Sequence, residues 1–206
     1  KKQKDETKKY IEDLSNSNNL VKIISFKENK GLPSARNAGI DIATGDYIAF
    51  GEDDLYYEDN YTQDVISELI VHNADIGAGR LIYLKPEETF NKASERIGKH
   101  SGEFINRFMY SHKDFLWFKE TIQVPLTHAC AVINRDVFLK VKYDTAYTGN
   151  FLYEDSDFFM RAGKQGYKII FVSKTIAFHM PQVLIGSGCW KDGIIKYNIQ
   201  AMKDRK

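Results

Sequence analysis

Three carboxylates in a row, Glu52-Asp53-Asp54, stand one glycine after the apolar run Tyr47-Ile48-Ala49-Phe50. Two unit charges about 4 Å apart repel by roughly 4 kcal/mol at an effective dielectric near 20. Such a cluster needs water, cationic partners or a hard metal. In an extended segment Glu52 and Asp54 point to one side and Asp53 to the other. One or two carboxylates together with phosphate oxygens is the usual way of holding Mg²⁺ or Mn²⁺. The ordinary alternative is a solvated turn with acids at a strand end. A second acidic signal lies far along the chain, at Tyr153-Glu154-Asp155-Ser156-Asp157. One carboxylate there could take a proton from an acceptor hydroxyl as a bond forms. Acids also suit a first helical turn, whose dipole favours them. His179 completes the set, because a neutral imidazole suits Mn²⁺ and related ions. By itself it reads equally as a structural hydrogen-bonding residue.

These residues need elements to position them. Helical spacing of Tyr10, Ile11 and Leu14 predicts an opening helix, and Leu20–Phe26 reads as a short strand with Val21, Ile23 and Ile24 buried. The loop Asn29–Pro33 follows, then a helix from Ser34 to Ala43 that ends in the turn Thr44-Gly45-Asp46. Tyr47–Phe50 is an apolar strand that delivers the acids. A helix is expected over Tyr61–His72 and a strand over Ile76–Leu84. Lys85–Gln123 is polar and aromatic, with one or two helices among loops. Further expectations are a strand over Leu126–Ile133, a short helix over Asp136–Val141 and a helix over Asp155–Gln165. Two strands should follow, Tyr167–Val172 and Thr175–His179, with a last helix at Gly193–Lys203. Strands alternating with helices give a single α/β domain spanning residues 1–206, with an at least partly parallel sheet. Sheets of that kind bind ligands beyond the carboxyl ends of their strands, where Glu52–Asp54 lie.

Bulk properties narrow the field. The net charge of +1 gives no global field for nucleic acid or acidic lipid. The two cysteines, Cys130 and Cys189, form neither a disulfide framework nor a C-x-x-C pair. A reducing, cytoplasmic setting is therefore expected, with the inner face of a membrane as its nearest extension. No stretch of about 18 apolar residues occurs.

The order of these pieces resembles family 2 glycosyltransferases of the GT-A fold. The resemblance rests on Asn29-Lys30-Gly31-Leu32-Pro33-Ser34-Ala35-Arg36-Asn37-Ala38-Gly39-Ile40, then Ala43–Phe50, then Glu52-Asp53-Asp54. Later come Tyr153–Phe158, Arg161, Gly166–Ile169 and His179. It implies a nucleotide-sugar transferase with a Rossmann-like mixed sheet flanked by helices. The acids match the family's Asp-x-Asp motif, with Glu52 in its first place. By that match Asp54 would coordinate Mn²⁺ or Mg²⁺ bridging the donor diphosphate, with Glu52 or Asp53 near the ribose or the metal's waters. Asp155 matches the catalytic base and His179 a metal ligand. Arg36 and Asn37 fall in the segment lining the nucleotide pocket, Arg36 being equally readable as a salt-bridged structural residue.

The implied reaction is direct displacement at the anomeric carbon with inversion, the acceptor being a sugar or lipid-linked sugar. The resemblance also places the chain's start after an opening β-α-β unit of the family, leaving a sheet edge through which a homodimer is expected. Tyr110, Phe115, Trp117 and Phe118 are candidates for stacking on an acceptor sugar, or for the core. Two other readings are kept: a noncatalytic sugar- or nucleotide-binding remnant, and a metal-dependent nucleotidyltransferase.

Overall fold

The computed structural model describes residues 2–97, 120–147 and 153–180. The candidate aromatics Tyr110, Phe115, Trp117 and Phe118 and the expected helix at Gly193–Lys203 lie outside them. In chain order the elements are α1 (Lys2–Ser17), α2 (Leu32–Ile42), β1 (Tyr47–Ala49), β2 (Leu55–Tyr57), α3 (Tyr61–His72), β3 (Ile76–Tyr83), α4 (Phe90–Ile97), β4 (Ile122–Gln123), β5 (Val132–Asn134), α5 (Glu154–Lys164) and β6 (Ile169–His179). A 3₁₀ turn, Arg135–Leu139, sits between β5 and α5.

The sheet runs β1-β5-β3-β6-β2, with β4 also on β6. Only β3 and β6 are parallel; every other pair is antiparallel. The period-2 alternation of strand side chains then builds two cores, one on each face. On one face Ile76, Ala78, Ile133, Ile169 and Phe171 meet Ile40 of α2, Phe158, Phe159 and Ala162 of α5, and Val137 and Phe138 of the 3₁₀ turn. On the other, Val132, Ile170, Val172, Leu81 and Ala177 meet Tyr61, Val65 and Leu69 of α3. The chain is thus a mixed sheet flanked by helices.

Close approach of α3 is permitted by glycine. A Cβ at Gly77 would stand 3.0 Å from both Leu69 Cδ2 and Val65 Cγ1. At Gly79 it would stand 2.6 Å from the Thr175 carbonyl oxygen and 2.7 Å from the Tyr61 ring. Gly79 also lies where β3 and β6 lose register: Ala78 pairs with Phe171, but Arg80 pairs with Ile176. The extra residues of β6 bulge there, and Lys174 reaches Asp64 and Glu68 of α3.

Several expectations need correction. Leu20–Phe26 forms no strand, and Ile23 and Ile24 are exposed while Val21 is half-buried. A strand requires a neighbour to satisfy its backbone groups, and no described strand lies alongside this segment. Leu126–Ile133 contributes only its end to β5, because residues 126–131 serve as a buried loop. The two strands expected between Tyr167 and His179 are one bulged strand, β6. The strand β2 was not expected at all, since three residues carry too little periodicity to declare themselves.

Candidate active site

The acids emerge at the end of β1 because β1 pairs with β5 and its ladder stops there. The Phe50 N–H donates to the Ala131 carbonyl at 3.0 Å, and the chain then turns. It re-enters the sheet at β2, where Leu55 lies opposite His179 on β6. That pairing brings two distant parts of the sequence together. Glu52, Asp54 and His179 each offer a ligand atom, and the three atoms lie within 4.8 Å of one another. Asp54 Oδ2 stands 3.5 Å from His179 Nε2. Asp53 is exposed and outside this group; the acids lie in a turn closed by the Leu55 N–H donating to the Glu52 carbonyl, not in the extended segment whose alternation the sequence suggests.

His179 is oriented from three sides. Its ring stacks on Tyr83, with centroids 4.6 Å apart. Its Nδ1 lies 3.0 Å from the Met180 carbonyl, to which a protonated Nδ1 donates. The Met180 N–H in turn donates to the Asp54 carbonyl at 2.8 Å. A donated Nδ1–H leaves the Nε2 lone pair facing the two carboxylates, the arrangement a metal-ligating histidine needs. Two hard carboxylate oxygens and one imidazole nitrogen fit Mn²⁺ or Mg²⁺ with positions left for phosphate oxygens. Burial raises the Glu52 carboxyl above the usual range, against the pull of Arg36, and Asp54 raises it further. A cation placed there would relieve this repulsion.

Asp155 comes to the same region from the first turn of α5. It is half-buried, and its Oδ1 accepts from the Ser156 N–H at 2.7 Å. Burial raises its pKa, opposed first by Arg36 and then by that backbone donor. A raised carboxyl pKa makes a stronger general base. The turn that carries it starts from Tyr153, whose φ of 71° lies in the left-handed region. For a bulky side chain that conformation costs about 1–2 kcal/mol and persists only where the surroundings enforce it.

Arg36 lies between the two acidic groups. It pairs with Glu154 through Nη1 and with Glu52 through Nη2 at 3.3 Å. Its guanidinium sits over the Tyr143 and Phe50 rings, 5.1 and 5.8 Å from their centroids. Asn37, the next residue, has both ends of its amide engaged by the backbone of Tyr143, at 2.8 and 3.0 Å. Sequence reasoning did not find Tyr83, Tyr143 or Phe50 as supports of the site. Their type gave no signal apart from the core, and only the strand pairing and the loop after the 3₁₀ turn bring them close.

The family model for glycosyl transferase family 2 matches residues 2–142. The chain belongs to this family. The match takes in Arg36 to Asp54 and stops short of Asp155 and His179. The amylovoran biosynthesis glycosyltransferase AmsB of Erwinia amylovora is 27% identical over 155 residues, which is 71% of this chain and 46% of AmsB. Glycosyltransferase GlyA of Streptococcus pneumoniae is 34% identical over 53 residues, 26% of this chain and 8% of GlyA. The chain therefore spans less than half the length of these relatives.

Among solved structures, GalNAc-T7 with UDP, GalNAc and Mn²⁺ superimposes with a TM-score of 0.63 at 16% identity, covering 96% of this chain and 42% of that one. Residues 1–349 of S. aureus TarS in complex with UDP superimpose with a TM-score of 0.57 at 17% identity, covering 85% and 47%. The family 2 chain described here has the GT-A fold of these two structures.

Proposed function

We propose that this chain moves a sugar, with inversion, from a nucleoside-diphosphate sugar to the hydroxyl of a sugar or lipid-linked sugar. The observation that carries the reading is the meeting of Glu52, Asp54 and His179 on the side of the sheet that Asp155 also approaches. Asp54 and His179 would hold Mn²⁺ or Mg²⁺, with Glu52 beside them. Held there, the ion would supply positive charge towards the departing nucleoside diphosphate. Asp155 takes the proton of the acceptor hydroxyl while that oxygen attacks the anomeric carbon. The bond between that carbon and the diphosphate oxygen breaks on the opposite side. One displacement inverts the configuration. Arg36 and Asn37 support the site from behind, through Glu52, Glu154 and Tyr143, and Asp53, exposed beside the cluster, would be the acid nearest donor ribose. UDP is the nucleotide to test first, because two of the superimposed structures were obtained with it.

Thermal shifts with UDP-sugars, with Mn²⁺ or with EDTA, test the site. A donor at about 100 times its dissociation constant adds roughly 2.7 kcal/mol of stability. Expected is a metal-dependent shift that Asp54→Ala and His179→Ala both abolish. Asp155→Asn should keep the shift and lose turnover by 10³-fold or more, since general-base help contributes about 10²–10⁴. Turnover surviving in Asp155→Asn would remove Asp155 from its role. A metal-dependent shift without turnover in the unaltered chain would favour the noncatalytic binding reading. Pyrophosphate release from a nucleoside triphosphate would favour nucleotidyl transfer instead.

A further inference from the structure

A donor-pocket arginine should present its guanidinium to the ligand. Arg36 does not. Its side chain is 7% exposed, both terminal nitrogens are taken by carboxylates, and aromatic rings lie against it. Its partner Glu154 is as deeply buried, at 5%, and the second Glu154 oxygen has no hydrogen-bond partner. Arg36 is therefore what holds this carboxylate in place. The turn bearing Glu154 is entered from Tyr153 in a left-handed conformation, with no side-chain cap hydrogen bond, so Arg36 supplies a grip on it from α2. The other arm of the fork reaches Glu52, across the site.

We propose that Arg36 is a positioning residue, a two-armed tether that sets Asp155 relative to the acidic loop by gripping Glu154 with one nitrogen and Glu52 with the other. The inference deepens the reading above and rests on it for the role of Asp155. Glu154 neighbours Asp155 in the first turn of α5, so a movement of Glu154 carries Asp155 with it. Asn37 steadies the tether from the same helix by clamping Tyr143, whose ring lies against the guanidinium. Lysine cannot replace the fork, because a single ammonium does not span two carboxylates in fixed geometry.

Amide hydrogen exchange of residues 153–158 and steady-state kinetics are measured on the unaltered chain, Arg36→Met, Arg36→Lys and Arg36→Ala. Exchange in this turn should rise at least tenfold in Arg36→Met while that of α3 stays as it was. Turnover should fall on the order of 10²-fold at unchanged donor KM, the cost of a small misplacement of a reacting group. Millimolar guanidinium should restore turnover in Arg36→Ala, where it refills the vacated space, and ammonium should not. Unchanged exchange at 153–158 in a folded variant would overturn the tether. So would a raised donor KM with turnover preserved, which would make Arg36 a donor contact. If Arg36→Met does not fold, Arg36→Lys supplies the same exchange comparison. A loosened turn in a chain whose unaltered form has no turnover would uphold the tether and overturn the transferase reading instead.

Discussion

At the scale of single residues, two buried titratable groups act on stability in opposite directions. Burial pushes the Glu154 carboxyl up to about 8, although Arg36 pulls it down. A carboxyl raised in the folded state binds its proton more tightly there than in the unfolded chain. Its contribution is thus fully present below the ordinary glutamate range and is lost as pH rises towards about 8. Glu154→Gln should flatten the decline in melting temperature between pH 5 and 8, and an unchanged decline would assign that slope to another group. His128 works the other way. Its ring is buried between the Gly79 carbonyl, 2.9 Å from Nε2, and the Cys130 N–H, which donates to Nδ1 at 3.3 Å. An accepting Nδ1 fixes the neutral tautomer with the proton on Nε2, and burial lowers the pKa to about 4. The neutral form is favoured by folding, so this stability is present above pH 6.5 and fades as pH falls towards 4. The drop corresponds to about 3 kcal/mol. His128→Gln, of similar reach but without a titration, should show a shallower acid limb in urea melts at pH 7, 5.5 and 4.

At the scale of elements, the approach of α3, β3 and β6 at Gly79 is the tightest glycine contact in the described structure. Gly79→Ala has nowhere to put its methyl group, since the nearest atoms include the Thr175 carbonyl oxygen and the Tyr61 ring. Overpacking of this kind costs about 1–3 kcal/mol. Chemical denaturation should show a lower midpoint at an unchanged slope, whereas Gly39→Ala, with no atom within 4 Å of the new methyl, should not. Elements of this length are also where the sequence reads best. The apolar period of Tyr61–His72 and the run Ile76–Tyr83 declare α3 and β3, and Glu52, Asp54 and His179, which the sequence singles out, lie close together. What stayed hidden depends on pairing. Leu20–Phe26 has the composition of a strand but no strand to join among the described residues. The three-residue β2 has little pattern, yet its pairing with β6 is what brings Asp54 to His179. Arg36 was readable as lining the nucleotide pocket or as a salt-bridged residue, but its grip on Glu154, 118 positions away, lies in no local spacing.

At the scale of the whole molecule, apolar side chains gather where nothing described covers them. Ile11 and Leu14 of α1 are each 39% exposed, and Ile23, Ile24 and Phe26 lie open beyond it. Between α1 and this segment runs a groove of about 660 Å³, lined by Thr7, Lys8, Ile11, Glu12, Ile23, Ile24 and Ser25. It is far larger than the pocket of about 170 Å³ beside the acidic loop, lined by Phe50, Tyr57, Tyr61 and Cys130 among others. Volume therefore does not single out the acidic loop; charge and convergence do. The outer edge of β1 also has no described strand beside it, so its backbone groups are available for pairing. Exposed apolar surface of this extent next to an open sheet edge favours contact with another chain. The chain should therefore associate with itself, and sedimentation velocity should show a concentration-dependent coefficient. Ile11→Glu with Ile23→Lys puts charge into the groove without touching any buried core residue. That double variant should sediment as a monomer and keep the metal-dependent donor shift. Monomeric behaviour of the unaltered chain across the concentration range would show that this face is tolerated in water. Association that survives the charges would move the contact from the groove to the edge of β1.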